Sequence, residues 1–176
     1  ISANRQRKAR QKGAAVVEFA LAVIVFFAVL FAIIEFGYLF WVNLTMQHAV
    51  REGARFAVTG RILPDPSDPA ENLNRCDSAK LWIKENSMGL FDIVTSDSEV
   101  TFSRVQPNGA IVPIGSGCGS PNDIIMINVD CAAPLLTPFE RMLSLLSGQA
   151  ASWGPVFEGG KYNFYVRATM KNEAFR

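Results

Sequence analysis

Glu18 and Glu35 carry the most demanding chemistry in this chain, because they are the acids of an otherwise apolar stretch. They stand 17 residues apart, about 25 Å along a helix that rises ~1.5 Å per residue. A carboxylate in a membrane-length helix must reach water, a headgroup or a cation. This spacing lets the two lie near opposite edges of a hydrocarbon layer, where charge costs far less than at its centre. Snorkelling to the interface is the expectation for Glu35.

Cys76, Cys118 and Cys131 are the nucleophilic side chains, and their odd number leaves one thiol unpaired or intermolecular. Ile125, Ile127, Val129 and Cys131 alternate along one strand face, so Cys131 reads as a core residue. Cys76 and Cys118 occupy polar, turn-like settings and are the expected disulfide. None of the three has C-x-x-C spacing, which argues against structural zinc and thioredoxin-type exchange. His48 falls on a helix near the membrane and reads as a surface or packing residue, not half of a Cys–His pair. Gly115-Ser116-Gly117-Cys118-Gly119 lacks the following helix and the lysine of a phosphate loop, so a flexible loop is expected. The acids of Pro64-Asp65-Pro66-Ser67-Asp68-Pro69 lack EF-hand spacing, which leaves a rigid solvated loop and no metal. Arg51, Glu52 and Arg55 form either an intrahelical charge network or a contact to a neighbouring subunit. No paired carboxylates, metal cluster or nucleophile elbow is present, so neither an enzyme nor a cofactor is expected.

The elements that hold these residues follow from patterning. Arg5, Arg7, Lys8, Arg10 and Lys12 crowd the first twelve residues without an acid. From Ala14 to Ile34 every residue except Glu18 is apolar, which covers the ~20 residues needed to cross a bilayer. An apolar run this long exceeds the ~7–15 residues of a cleaved secretory signal. The basic flank puts the N-terminus in the cytoplasm, and Tyr38, Phe40 and Trp41 sit where an outer aromatic belt is expected. This divides the chain into a basic cytoplasmic leader (1–13), a transmembrane helix (14–41) and an outer, periplasmic domain (42–176). The net charge of +1 hides the basic bias of the leader. That bias favours an anionic membrane surface and gives no folded basic patch for nucleic acid.

Beyond the span, Val42, Met46, Ala49, Val50, Gly53, Ala54 and Ala57 continue a helical stripe, so one helix is expected from Ala14 to about Thr59. Its small members Ala49, Gly53 and Ala57 would allow close approach to a sheet. A short helix is expected from about Asp77 to Met88. Strands are expected at Val100–Val105, Ile124–Cys131 and Tyr162–Lys171. A second short helix is expected from Thr137 to about Leu146, with Pro138 in its first turn. The fold class is α+β: a long N-terminal helix packed on a small antiparallel sheet of about three strands, with two short helices.

The run from Gly13 to Gly60, above all Gly13-Ala14, Glu18-Phe19, Glu35-Phe36-Gly37 and Arg51-Glu52-Gly53-Ala54-Arg55, resembles the TadE-like minor pilins of the tight-adherence (Tad, or Flp) pilus. The closing strand Ala168-Thr169-Met170-Lys171-Asn172-Glu173 is similar to the end of that family. The resemblance implies cleavage between Gly13 and Ala14 by a prepilin peptidase. It also implies subunit assembly through Glu18 and Phe19, with Glu18 pairing the new amino group of Ala14 or of a neighbour. The implied partners are other minor pilins, the major Flp pilin and the inner-membrane platform. The implied place is the bacterial inner membrane, or the pilus tip after assembly. The competing expectation is an uncleaved, membrane-anchored periplasmic scaffold or binding domain.

Overall fold

The first sixty residues hold no proline, and alanine, arginine, lysine and glutamine, strong helix formers, fill most of the leader that opens them. In the computed structural model this stretch folds as one helix, α1, Ser2–Val58. The helix therefore begins in the leader and not at Ala14, because the leader's Ala, Arg, Lys and Gln residues favour helix and no proline separates them from the span. The structure describes residues 2–68, 70–95, 99–115, 117–138, 157–158 and 160–173. Two compact units divide the chain, one made of residues 1–38 with 135–151, the other of 39–134 with 152–176.

In the first unit the apolar part of α1 is long enough to cross a membrane, and its most apolar stretch is not covered by protein. Phe19, Ile24, Val25, Phe26 and Ile33 are each more than half exposed. Phe27 and Phe31 stack at 5.9 Å between ring centroids.

The second unit begins where α1 turns from apolar all round to striped. Leu39, Val42, Met46, Ala49, Val50, Ala54 and Ala57 are buried, with the i, i+3, i+4 spacing of a core-facing helix. Gly53 meets α2, Arg75–Asn86, and not the sheet: a Cβ built on it would stand 2.1 Å from Cγ1 of Ile83. Phe56 stacks on Trp82 at 4.9 Å in the same seam. α2 starts two residues before the expected Asp77, because the Asn74 side chain accepts the Asp77 N–H at 2.9 Å and caps the helix there. A one-turn helix not expected from the sequence, α3 (Phe91–Val94), buries Phe91 and Val94.

Among the described residues the sheet holds the three expected strands and two further edge pieces: β1 (Val100–Val105), β2 (Ile111–Pro113), β3 (Ile124–Pro134), β4 (Phe157–Glu158) and β5 (Lys161–Lys171), in the order β2-β1-β3-β5-β4. All pairings are antiparallel. The two extra strands are edge pieces of three and two residues, too short to show a period. β3 is central. Its inward residues Ile125, Ile127, Val129, Cys131 and Ala133 are buried, beside Val100 and Phe102 of β1 and Val166 and Ala168 of β5. Full burial of a Val or Ile side chain contributes about 1.5–3 kcal/mol, so this face and the α1 stripe make the core of the unit. The helix expected from Thr137 to Leu146 lies, beyond Pro138, outside the described residues.

Candidate functional site

α1 presents its two acids in opposite circumstances. Glu18 and its neighbour Phe19 are exposed, Phe19 to 71%. Among the described residues Glu18 has no partner. Gly13 and Ala14 lie within the same continuous helix.

Glu35 does not snorkel. It is 1% exposed, and its carboxylate is satisfied by the turn after β3. Leu136 donates its backbone N–H to Oε1 at 3.1 Å. Thr137 donates its backbone N–H at 2.8 Å and its hydroxyl at 2.6 Å to Oε2. Three donors on one carboxylate meet the requirement that a buried charge be hydrogen-bonded. Sequence reasoning missed these partners. Thr137-Pro138 signalled a helix opening, and nothing local tied it to an acid a hundred residues earlier.

The charge cluster at the end of α1 is smaller than its sequence suggests. Arg55 pairs with Glu52 at 3.4 Å on an open surface, an arrangement of little energetic weight. Arg51 is exposed and has no partner among the described residues. His48 is exposed on the same helix.

Cys76 and Cys118 are joined, with their Cα atoms 5.4 Å apart. Cys131 is a buried free thiol, 4% exposed. Burial above all, then the charges of Asp130 and Glu99, push its thiol up to about 12, so it stays protonated and unreactive at neutral pH.

The glycine-rich loop is anchored. Arg75 donates to the carbonyls of Cys118 and of Gly119, the latter at 2.6 Å. Asn172, 3% exposed, donates its side-chain amide to the carbonyls of Cys118 and Ser120, each at 3.0 Å. Asp123 closes the loop by accepting the Ser120 N–H at 2.7 Å and pairing with Arg104 at 3.0 Å. Desolvation lowers the Arg75 guanidinium from its ordinary value, and the Asp123 charge opposes that shift. The polar loop at Asp65 is ordered in a similar way. Ser67 donates its N–H at 2.8 Å and its hydroxyl to the Asp65 carboxylate, and these bonds hold Asp65 below the usual carboxylate range.

One open cleft of about 330 Å³ is lined by Asn74, Asp77, Lys80, Thr101, Phe102 and Ile114 among others. Its charges answer each other, Lys80 to Asp77 at 3.6 Å, so it offers no unpaired ionic group to a ligand. No group of three or more potential metal ligands gathers among the described residues.

The arrangement is a membrane-length helix with one acid near one end that has no partner among the described residues and a clamped acid near the other. Residues 13–55, which include both, match the family model described as TadE-like protein. No curated protein and no solved structure matches the chain. Over these residues of its N-terminal helix the chain is similar to TadE-like proteins.

Proposed function

We propose that this chain is a minor pilin or pseudopilin of a Tad (Flp) pilus assembly apparatus, acting in priming or at the pilus tip. The observation that carries the reading is the matched segment itself: an uncovered apolar helix with Glu18 exposed and without a partner among the described residues. In lipid such a helix holds the subunit as a single-pass inner-membrane protein, with its N-terminus cytoplasmic and its outer domain periplasmic. On assembly the same surface packs against the helices of other minor pilins and of the major Flp pilin. Leaving lipid for a dry bundle raises the cost of an unpaired carboxylate, and the amino group freed at Ala14 is the cation that answers it.

In this reading a prepilin peptidase cuts between Gly13 and Ala14, the inner-membrane platform receives the subunit, and the role is structural, not catalytic. The division into leader (1–13), span (14–41) and periplasmic domain (42–176) belongs to the same proposal. N-terminal mass spectrometry of native protein, from cells that carry the peptidase, tests it. The expected chain begins at Ala14. Recovery only of chains that retain residues before Ala14 would favour an uncleaved, membrane-anchored scaffold instead.

A further inference from the structure

We propose that the turn after β3 is a second membrane contact, in which Leu136 enters the outer leaflet beside α1. The inference rests on the membrane reading above, and three observations within the first unit lead to it.

The first is depth. Glu35 immediately follows the apolar run that ends at Ile34, so its carboxylate marks the outer edge of the hydrocarbon. The second is attachment. Leu136 is bonded to that carboxylate through its own backbone N–H at 3.1 Å, and Thr137 adds two further bonds. The level of Leu136 along α1 is therefore set by Glu35 and not by the surrounding loop. The third is exposure. Leu136 is 59% exposed, and Ile33 (66%) and Phe36 (57%), within two residues of Glu35 in the sequence, are exposed as well. A leucine facing outward at this depth continues the lipid-facing surface of the span.

The alternative role for Leu136, a cap on the protein core, fails on its exposure. A leucine left in water forfeits the transfer free energy that burial supplies, whereas the acyl chains of the leaflet recover it without any protein partner. The clamp also solves a polar problem. At the edge of the hydrocarbon the N–H groups of Leu136 and Thr137 need acceptors, and Glu35 supplies them while its own charge is satisfied. The sequence that follows keeps the same character, with Phe139, Met142, Leu143 and Leu146 at i, i+3, i+4 and i+7.

The occupant is lipid, and a polarity-sensitive fluorophore distinguishes lipid from water. Cysteine would be introduced at Leu136, at Ile33 in the span and at Ser67 in the exposed polar loop, one at a time, in a full-length Cys131→Ala background. Each is labelled with a nitrobenzoxadiazole probe and reconstituted in vesicles of phosphatidylethanolamine and phosphatidylglycerol. The expected result is blue-shifted emission at both Leu136→Cys and Ile33→Cys, quenched by spin-labelled lipid at least about threefold more than Ser67→Cys. Leu136→Cys behaving like Ser67→Cys, with Ile33→Cys still quenched, would overturn the second contact alone. Loss of quenching at Ile33→Cys as well would overturn the membrane reading and this proposal together.

Discussion

Thr137 donates both its backbone N–H and its hydroxyl to Oε2 of Glu35, 102 residues earlier in the chain, at 2.8 and 2.6 Å. This bond pair changes the relative weight of the two acids of α1. Glu35 is satisfied within its own chain, while Glu18 has no partner among the described residues.

Glu35→Ala should therefore damage the isolated subunit and Glu18→Ala should not. Hydrogen bonds to a charged group contribute roughly 1.5–3 kcal/mol each, and Glu35→Ala strands two backbone donors and a hydroxyl. Thermal unfolding in detergent should show a clear loss for Glu35→Ala, a smaller one for Thr137→Val and none for Glu18→Ala. Crosslinking to partner pilins and pilus counts should fall with Glu18→Ala at normal membrane level, since losing one member of a buried ion pair costs about 3–5 kcal/mol. Normal assembly with Glu18→Ala would remove the ionic argument for bundle packing.

Gly53 is set for contact with Ile83 and should tolerate no side chain. A Cβ there meets Ile83 Cγ1 at 2.1 Å and the Ala79 carbonyl oxygen at 3.3 Å. Gly53→Ala should cost about 1–3 kcal/mol by overpacking. Ile83→Ala alone should cost about 2–5 kcal/mol through the cavity it leaves. The double variant should be less destabilised than the sum, and strict additivity in urea unfolding would place the strain elsewhere.

The Cys131 thiol gives the sheet domain an alkaline limit. Its folded value lies near 12, above the ~8.5 of an unfolded cysteine. Between those values the native state holds a proton that the unfolded state has lost, so stability falls as pH rises. Below about pH 8.5 both states are protonated and there is no effect. From pH 8.5 to 10 the wild type should lose roughly 1–2 kcal/mol relative to Cys131→Ala. Equal pH profiles for the two proteins would show that the thiol is not held protonated.

Asn172 and the Cys76–Cys118 bond secure one loop from two sides, so their losses should be coupled. Cys118→Ser should cost about 2–4 kcal/mol. Asn172→Ala removes one of the two donors to the Cys118 carbonyl, Arg75 remaining, together with the bond to Ser120, and should cost about 0.5–1.5 kcal/mol. Because both act on the same residue, the double variant should depart from the sum by at least about 0.5 kcal/mol in denaturant unfolding. Agreement with the sum would mean that the two anchors act on separate parts of the loop.

Period decided what was legible in the sequence. The α1 stripe from Val42 to Ala57 and the alternation at Val100–Val105, Ile124–Cys131 and Tyr162–Lys171 are strong signals, and those elements lie at those places. β3 runs three residues further, to Pro134, because Ala132, Ala133 and Pro134 pair with β5 despite reading as a strand end. β2 and β4 carry no readable pattern, since two or three residues complete no period. The small face of α1 was visible, but its partner was not: spacing shows that Gly53 permits close approach, and only the fold decides between a sheet and α2. The Glu35 clamp was hidden for the same reason. Its donors are two backbone N–H groups and one hydroxyl, and backbone donors leave no trace in residue type.

The long pairing of β3 with β5 has a consequence for synthesis. The register runs from Ile124 opposite Lys171 to Pro134 opposite Lys161, and Glu173 then donates its N–H to the Val58 carbonyl at the end of α1, at 3.3 Å. The central strand thus waits for residues translated roughly forty positions later, and the helix end for residues later still. A nascent chain halted before residue 161 leaves the β3 edge unpaired, a form open to proteolysis and aggregation. Folding of the sheet is therefore a check on translation, and a chain that attains its native register is one whose message was read past Lys171.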